Sequence, residues 1–115
     1  MGSPSLINIL EKYLGLAADR QQLIVSNMAN IDTPGYHTRD IDFKTELKRA
    51  LQTNSPTVTP VAQQVPGLLE RPDGNNVNLD RESLLLSETQ MQYQIGVQLV
   101  KSEFHRLLSA INEGK

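Results

Sequence analysis

The feature that most constrains this chain is an apolar stripe at each of its two ends. Near the N-terminus, apolar residues recur at alternating steps of three and four, a spacing that places them on one face of an α-helix. Apart from the polar Gln21, the stripe consists of Ile7, Leu10, Leu14, Ala17, Ile24, Met28 and Ile31. The spacing predicts an amphipathic helix with a coiled-coil-like seam over residues 6–31.

The C-terminal part of the chain repeats this spacing and predicts a second long helix over residues 79–111. Apart from the polar Gln90, its stripe consists of Leu86, Tyr93, Val97, Val100, Phe104, Leu107 and Ile111. The apolar face is broadened by a neighbouring stripe of Leu84, Met91, Ile95 and Leu99. Asn78 and Asp80 are both suitable N-caps, and Gly114 suits the end of the helix.

Gln21 and Gln90 each occupy an apolar position of a seam. One interpretation is a polar residue tolerated near the edge of the helix face. The other is a polar contact that fixes the register with a partner helix. The first is the more common situation, and the sequence leaves both open.

The segment between the two helices has a different character. Thr33 precedes a proline and is therefore pushed out of helical geometry. Pro34 and Gly35 fit the two central positions of a type II turn, because proline sets the first φ and glycine accepts the positive second one. Residues 36–43 are predicted to be extended. A short amphipathic helix capped by Asp42 follows, marked by Phe43, Leu47, Ala50 and Leu51.

Residues 52–78 are predicted to form a flexible, proline-rich loop. This segment contains four of the prolines, Pro56, Pro60, Pro66 and Pro72, together with many Ser, Thr, Asn and Gln residues. Since it is long for a connection inside a compact domain, it is either mobile or ordered only by a partner.

The expected fold is mainly α, a single domain over residues 1–115. Two long terminal amphipathic helices form an elongated, coiled-coil-like hairpin, joined by the extended and turn segment, the short helix and the loop. Two helices do not enclose a core, so each seam requires additional protein to cover it.

Composition excludes several classes of function. The net charge is −2, which disfavours a nucleic-acid partner because phosphate binding depends on clustered Lys and Arg. The chain has no cysteine, and it has no apolar run of the ~20 residues needed to cross a bilayer. Its N-terminus lacks the features of a cleaved signal peptide, which predicts either a cytosolic protein or export by another route.

No catalytic, cofactor or metal site is expected. His37 and His105 lie in different regions without ligand-type neighbours at helical spacing. Residues 73–80 resemble a calcium loop superficially, but the required glycine and glutamate positions hold other residues, so a turn leading into a helix cap is preferred. Asp40 and Asp42 would share one face of an extended segment and be solvated. We therefore predict that the chain is not an enzyme and has no small-molecule substrate.

A run of ten residues at the end of the first helix carries a specific motif. Residues 27–36, NMANIDTPGY, resemble the N-terminal signature of the bacterial flagellar rod, hook and hook-associated proteins. The matching positions are Asn27, Ala29, Asn30, Thr33, Pro34, Gly35 and Tyr36. Residues 39–43 and 73–82 are similar to segments of the short, proximal-rod members of this family, and so is the length of the chain.

The resemblance implies a structural subunit of the flagellar basal-body rod that serves motility. Such subunits pack their terminal helices into the inner tube of a self-assembling helical rod joining the MS ring to the distal rod and hook. The implied partners are copies of the chain, other rod proteins, the FliE adaptor at the MS ring and the flagellar type III export apparatus. Secretion would occur without a cleaved signal peptide, and the rod lies in the periplasmic space.

The resemblance also implies roles for the motif. Asn27 and Asn30 would satisfy backbone groups at the helix end, Pro34 and Gly35 would set the direction of the chain, and Tyr36 would anchor it by packing. A plainer interpretation is a helix stop and turn needed only for folding. The alternative function is a helical-hairpin binding or chaperone-like module that grips one partner helix, which would form a finite complex rather than a polymer.

Overall fold

A computed structural model of the chain describes residues 5–53 and 59–113. It confirms a mainly helical and elongated fold, with overall dimensions of 69 × 27 × 18 Å. In chain order the elements are α1 (Leu6–Ala29), β1 (Arg39–Ile41), α2 (Phe43–Gln52), β2 (Ala62–Gln64) and α3 (Leu79–Glu113). No helix in the described ranges combines the length and hydropathy needed to cross a membrane.

Each helix begins at a polar N-cap. The Ser5 hydroxyl accepts a hydrogen bond from the Asn8 N–H at 3.1 Å at the start of α1. The Asp42 carboxylate caps α2 as predicted, accepting from the Thr45 N–H at 3.3 Å. At the start of α3 the cap is Asn78, whose Oδ1 accepts from the Arg81 N–H at 3.0 Å. The predicted stop at Gly114 lies outside the described residues.

Helices α1 and α3 run antiparallel and form the predicted hairpin. Asn27, near the end of α1, bonds to Glu82 in the first turn of α3, and Leu14 lies against Gly96 further along. Because α3 is longer than α1, its last turns extend past the start of α1. From Phe104 to Glu113 every residue of α3 is exposed. We call residues 104–113 the overhang.

The face of α3 that is buried against α1 lies beside the predicted stripe. It carries small or polar residues at seven-residue intervals, namely Glu82, Thr89, Gly96 and Glu103. Small residues allow the helix axes to approach, and larger apolar side chains such as Leu86, Val97 and Val100 flank the contact partly buried. The buried hydrophobic residues of the described chain are few: Leu10, Leu16, Ala17, Ile24, Ile41, Ala50 and Val77.

Helix α2 packs on α1 through one aromatic and one polar contact. The rings of Tyr13 and Phe43 meet edge to face with centroids 5.3 Å apart. The Lys12 ammonium donates to the Ala50 carbonyl at 2.7 Å and to the Thr53 carbonyl at 3.2 Å. A cation at these carbonyls satisfies acceptors that the end of a helix leaves unpaired.

The segment predicted as a loop contains a strand. Residues 62–64 form β2, which pairs antiparallel with β1 so that Asp40 lies opposite Gln63. The prediction of loop throughout 52–78 therefore missed this element. The three residues Ala-Gln-Gln carry no alternation of apolar and polar side chains, so no local pattern marks them as a strand. Residues 54–58 lie outside the described part.

Replacing Ile24 tests the hairpin core. Ile24 is 1% exposed, and Ile24→Ala is expected to lower the free energy of unfolding by about 2–5 kcal/mol because it leaves a cavity. The neighbouring Val25 is 50% exposed, so Val25→Ala should cost far less. Urea denaturation followed by circular dichroism compares the two variants. Equal losses would contradict this placement of the core.

Candidate assembly site

The end of α1 is joined to three other parts of the chain by the side chain of Asn27, which is fully buried. Its Nδ2 donates to the Arg39 carbonyl at 2.8 Å and to Glu82 Oε1 at 2.6 Å. Its Oδ1 accepts from the Tyr36 hydroxyl at 2.9 Å and from the Arg39 N–H at 3.1 Å. These four bonds use the full donor and acceptor capacity of the amide. Asn27 thus connects α1 to the turn, to β1 and to α3.

Asn30 ends the helix. Its Nδ2 donates to the Ser26 carbonyl at 2.8 Å, and its Oδ1 accepts from the Thr33 hydroxyl at 2.9 Å. Its backbone N–H also donates to the Ser26 carbonyl, at 3.1 Å. The Ser26 carbonyl in the last turn thus accepts from both the backbone and the side chain of Asn30, and the bond to Thr33 fixes the following residues against the helix end.

The turn after α1 has the geometry that proline and glycine predict. The Tyr36 N–H donates to the Thr33 carbonyl at 3.2 Å, and Gly35 has a φ of 75°. The Gly35 N–H donates outside the turn to the Asp73 carbonyl at 2.8 Å. Pro34 itself is exposed, as is Ala29 in the last turn of α1. The motif therefore has a buried side and a solvent-facing side.

A second segment, just before α3, closes over this turn. Asn75 is fully buried, and its Nδ2 donates to the Asn30 and Thr33 carbonyls, each at 2.8 Å. Asn76 Oδ1 accepts from the Thr38 N–H at 2.7 Å. The Asn75 amide thus adds a second hydrogen bond to two carbonyls of the turn, and the Asn76 amide accepts from the backbone that follows it.

Arginine and glycine complete the contact between the two segments. The Arg71 guanidinium donates to the Ile31 carbonyl, and to the Val77 carbonyl at 2.9 Å. Gly74 has a φ of 85°, and a Cβ there would lie 3.3 Å from the Gly35 Cα. Both the backbone conformation and the close approach favour glycine at this position.

We call residues 27–36 and 71–78 together the clamp. The sequence predicted a helix to residue 31 followed by a turn at Pro34 and Gly35, and at 73–80 a turn leading into a helix cap. The structure confirms both turns and ends α1 two residues earlier, at Ala29. The sequence did not indicate that the two segments bind each other. Paired asparagines in a polar loop were the available signal, but the same composition is typical of exposed turns.

A charged network lies beside the clamp. Asp40 binds Arg20 through two hydrogen bonds of 2.9 and 3.0 Å, and it accepts from Arg81 at 3.2 Å. Arg81 also pairs with the buried Glu82. The prediction that Asp40 is solvated beside Asp42 was wrong, since the Asp40 side chain is 15% exposed. The reason is tertiary, because β1 packs against α1 and meets its arginine there.

Burial on one side, and hydrogen bonds and positive charges on the other, shift the pKa of Asp40 in opposite directions. Burial by itself raises the pKa of this carboxyl. Hydrogen bonds from Arg20 and the Ile41 N–H, together with the positive charges of Arg20 and Arg81, outweigh burial and hold the pKa below its ordinary value. The hydrogen bond to Asp40 likewise raises the pKa of Arg20. The ion pair is therefore formed at neutral pH.

Comparison with known proteins decides the family. The chain is 30% identical to the flagellar basal body rod protein FlgB of Escherichia coli K12 over 90% of its own length and 91% of the relative's. The chain belongs to the FlgB family. The FlgB proteins of Salmonella typhimurium LT2 and of Buchnera aphidicola subsp. Acyrthosiphon pisum are also 30% identical with the same coverage. No family model matches the sequence.

Membership of the FlgB family confirms the resemblance and makes this chain a flagellar basal body rod protein. The segments that carry the resemblance, 27–36 and 73–82, lie forty residues or so apart in sequence and meet in the clamp and the first turn of α3. In this chain the two segments thus form one hydrogen-bonded unit that joins the end of α1 to the start of α3.

The structure brings together only part of the predicted seams. Leu10, Ala17 and Ile24 are buried, and the partly buried members are Ile7, Leu14, Met28, Ile31, Leu86, Val97 and Val100. The exposed members are Tyr93, Phe104, Leu107 and Ile111. Gln21 is partly buried and Gln90 is exposed, so both interpretations of these residues remain predictions. The exposed members are concentrated in the overhang of this FlgB-family chain.

Glycine substitutions test the turn of the clamp. Gly35→Ala is expected to lower the free energy of unfolding by about 1–2 kcal/mol, because a Cβ is unfavourable at positive φ. No atom lies within 4 Å of that Cβ, so backbone strain is the cause. Gly15 in α1 is equally uncrowded, and Gly15→Ala should instead stabilise by about 0.5–1 kcal/mol. Chemical denaturation of both variants measures these changes, and an unaffected Gly35→Ala variant would argue against the turn.

Asp40→Asn tests the charged network through its pH dependence. The lowered pKa means that the folded chain releases this proton more readily than the unfolded chain, whose ordinary value is 3.8. The resulting stability is present above that value and is lost as pH falls through the folded pKa. At pH 7, Asp40→Asn should destabilise by roughly 1–3 kcal/mol, the worth of hydrogen bonds to a charged group.

The difference between the wild type and Asp40→Asn should shrink as pH falls below the ordinary value of 3.8, where the unfolded chain takes up the proton first, and it should be lost as pH falls through the lower pKa of the folded chain. Asp42→Asn is the matched control, because asparagine caps a helix about as well as aspartate. Urea midpoints across the pH range give the comparison. A pH-independent gap would show that Asp40 does not act through its charge.

Proposed function

We propose that this chain is a structural subunit of the proximal flagellar rod and assembles through the ends of its terminal helices. The observation that carries the proposal is the apolar overhang of α3. Four large apolar side chains on it are exposed: Phe104 (53%), Leu107 (44%), Leu108 (56%) and Ile111 (62%). A contiguous apolar surface of this kind typically marks an interaction site.

The overhang continues the seam between α1 and α3 beyond the point where α1 begins. Val100, Phe104, Leu107 and Ile111 keep the alternating spacing of three and four. Such a stripe is stabilised when another helix covers it. A helix from a neighbouring subunit, placed in line with α1 alongside the overhang, would bury the same face. The subunit would join the rod through this contact.

A second apolar stripe gives α3 another contact surface. Its members are on the side of α3 away from the buried Thr89 and Gly96, and all are at least half exposed: Leu84, Met91, Ile95 and Leu99. Two apolar faces on one helix allow it to pack between different neighbours. Contacts between unlike faces of identical subunits produce rings or open helical assemblies. An arrangement that joins many subunits favours a rod over the alternative of a module that grips a single partner helix.

The finer assignments follow from the family. The subunit would lie in the part of the rod that crosses the periplasmic space and would link the MS ring to the distal rod and hook. Its neighbours would be copies of itself, other rod proteins and the FliE adaptor. Delivery would be through the flagellar type III export apparatus without a cleaved signal peptide. Support for these assignments comes from family membership together with the two exposed apolar faces.

A charge placed on the overhang tests this proposal. Leu107→Lys should abolish swimming and yield basal bodies without a complete rod, because a lysine in a covered seam is costly to desolvate. Since Leu107 is exposed in the subunit, the free energy of unfolding should change by less than about 0.5 kcal/mol. Swimming in soft agar and electron microscopy of isolated basal bodies, in a strain whose only copy is the variant, give the readout.

Ser109→Lys is the matched control, since Ser109 is exposed on the same turns of α3 but outside the apolar stripe. It should swim like the wild type. Normal rods from Leu107→Lys, at normal amounts of protein, would contradict assembly through the overhang.

A further inference from the structure

The apolar pattern of the hairpin fits more than one register. On α1 the buried Leu10, Ala17 and Ile24 are seven residues apart, and the buried residues of α3 repeat with the same period. A slide of α3 along α1 by one repeat, about 10 Å, would keep the apolar faces together. Something other than the repeat must therefore select the observed alignment.

A slide by one repeat would bury part of the overhang. If Leu14 lay against Glu103 instead of Gly96, α1 would run alongside the overhang and cover Phe104 and Leu107. The structure leaves these side chains exposed, although burying them would be favourable. The repeating seam alone therefore does not account for the observed register.

The first contact that distinguishes the registers is at Gly96. A Cβ at this position would lie 2.6 Å from Leu14 Cδ2 and 3.3 Å from Tyr13 Cδ1. The helices therefore meet at a point that only glycine fits without a shift of its neighbours. A slide by one repeat would bring Thr89 or Glu103 to this point, and both carry larger side chains.

The second contact is between Asn27 and Glu82, about 20 Å away along the hairpin. Both side chains are fully buried, and the Asn27 amide donates to the Glu82 carboxylate at 2.6 Å. A slide would separate them and leave a carboxylate in the interface without this donor, which is strongly unfavourable. Buried polar pairs are a known means of fixing helix register.

We propose that Gly96 and the Asn27–Glu82 pair set the register of the hairpin and thereby keep the overhang uncovered for another subunit. The second half of this statement rests on the proposed function. These are positioning residues, since they act on the overhang through the alignment of α3 and do not contact it. The clamp joins the end of α1 to the segment before α3 and therefore also opposes a slide of α3 along α1.

Disulfide formation between introduced cysteine pairs reports the register of the hairpin directly, because the chain has no cysteine of its own. By the alignment of Leu14 with Gly96, Leu10 lies level with Val100. Leu10→Cys with Val100→Cys therefore reports the observed register, and Leu10→Cys with Leu107→Cys reports the slide by one repeat. In the otherwise wild-type chain, an added oxidant should cross-link the first pair and not the second.

The register should change when the two contacts are removed. Gly96→Ala combined with Glu82→Met is expected to lower the yield of the first cross-link relative to the second by roughly tenfold, since the added Cβ overpacks the observed register. Thr89→Val is the matched control. Thr89 is fully buried on the same face, but its hydroxyl bonds to the Leu85 carbonyl of its own helix.

Each outcome decides the inference. An unchanged cross-link ratio in both single variants, Gly96→Ala and Glu82→Met, would overturn it, and these singles decide the matter if the combined variant loses helicity. A changed ratio supports the register role whatever the variants do in swimming assays. The Leu107→Lys variant tests the proposed function without changing Gly96, Asn27 or Glu82, the residues that set the register. A failure of the proposed function and a failure of the register role are therefore seen in different experiments.

Discussion

Asn27 is the residue at which the separate parts of this chain meet. Its amide is fully buried and makes four hydrogen bonds, to the turn, to both backbone groups of Arg39 and to Glu82. Losing such a side chain would leave several buried groups unpaired at once, and each unpaired group costs about 1–3 kcal/mol. The orientation of α3 relative to α1 therefore depends on a polar contact more than on the apolar seam.

This reliance on polar contacts suits a chain with a small core. The described residues bury seven hydrophobic side chains but a comparable number of polar ones, among them Asn75, Thr38 and Glu82. Apolar packing is tolerant of sliding, whereas hydrogen bonds and ion pairs require one geometry. The clamp and the network around Asp40 thus supply a definite shape while much of the apolar surface of α3 stays exposed.

In this rod protein of the FlgB family, the polar contacts and the exposed apolar surface give the two ends of the hairpin different surfaces. One end of the hairpin is closed by the clamp, and the other end is the exposed overhang of α3. A subunit with one closed end and one apolar end has a built-in direction. Contacts between unlike surfaces propagate along an axis and do not close into a dimer.

Heptad spacing and local capping chemistry were enough to predict both long helices, the short helix capped by Asp42 and the turn at Gly35, since these depend on residues close in sequence. The motif at 27–36 was also sufficient to indicate the family. The strand at 62–64, the burial of Asp40 and the closure of Asn75 over the turn depended on the tertiary structure. Each of them joins residues far apart in the chain. A repeating seam likewise leaves the alignment of the two long helices open, and contacts of the folded chain, at Gly96 and between Asn27 and Glu82, select it.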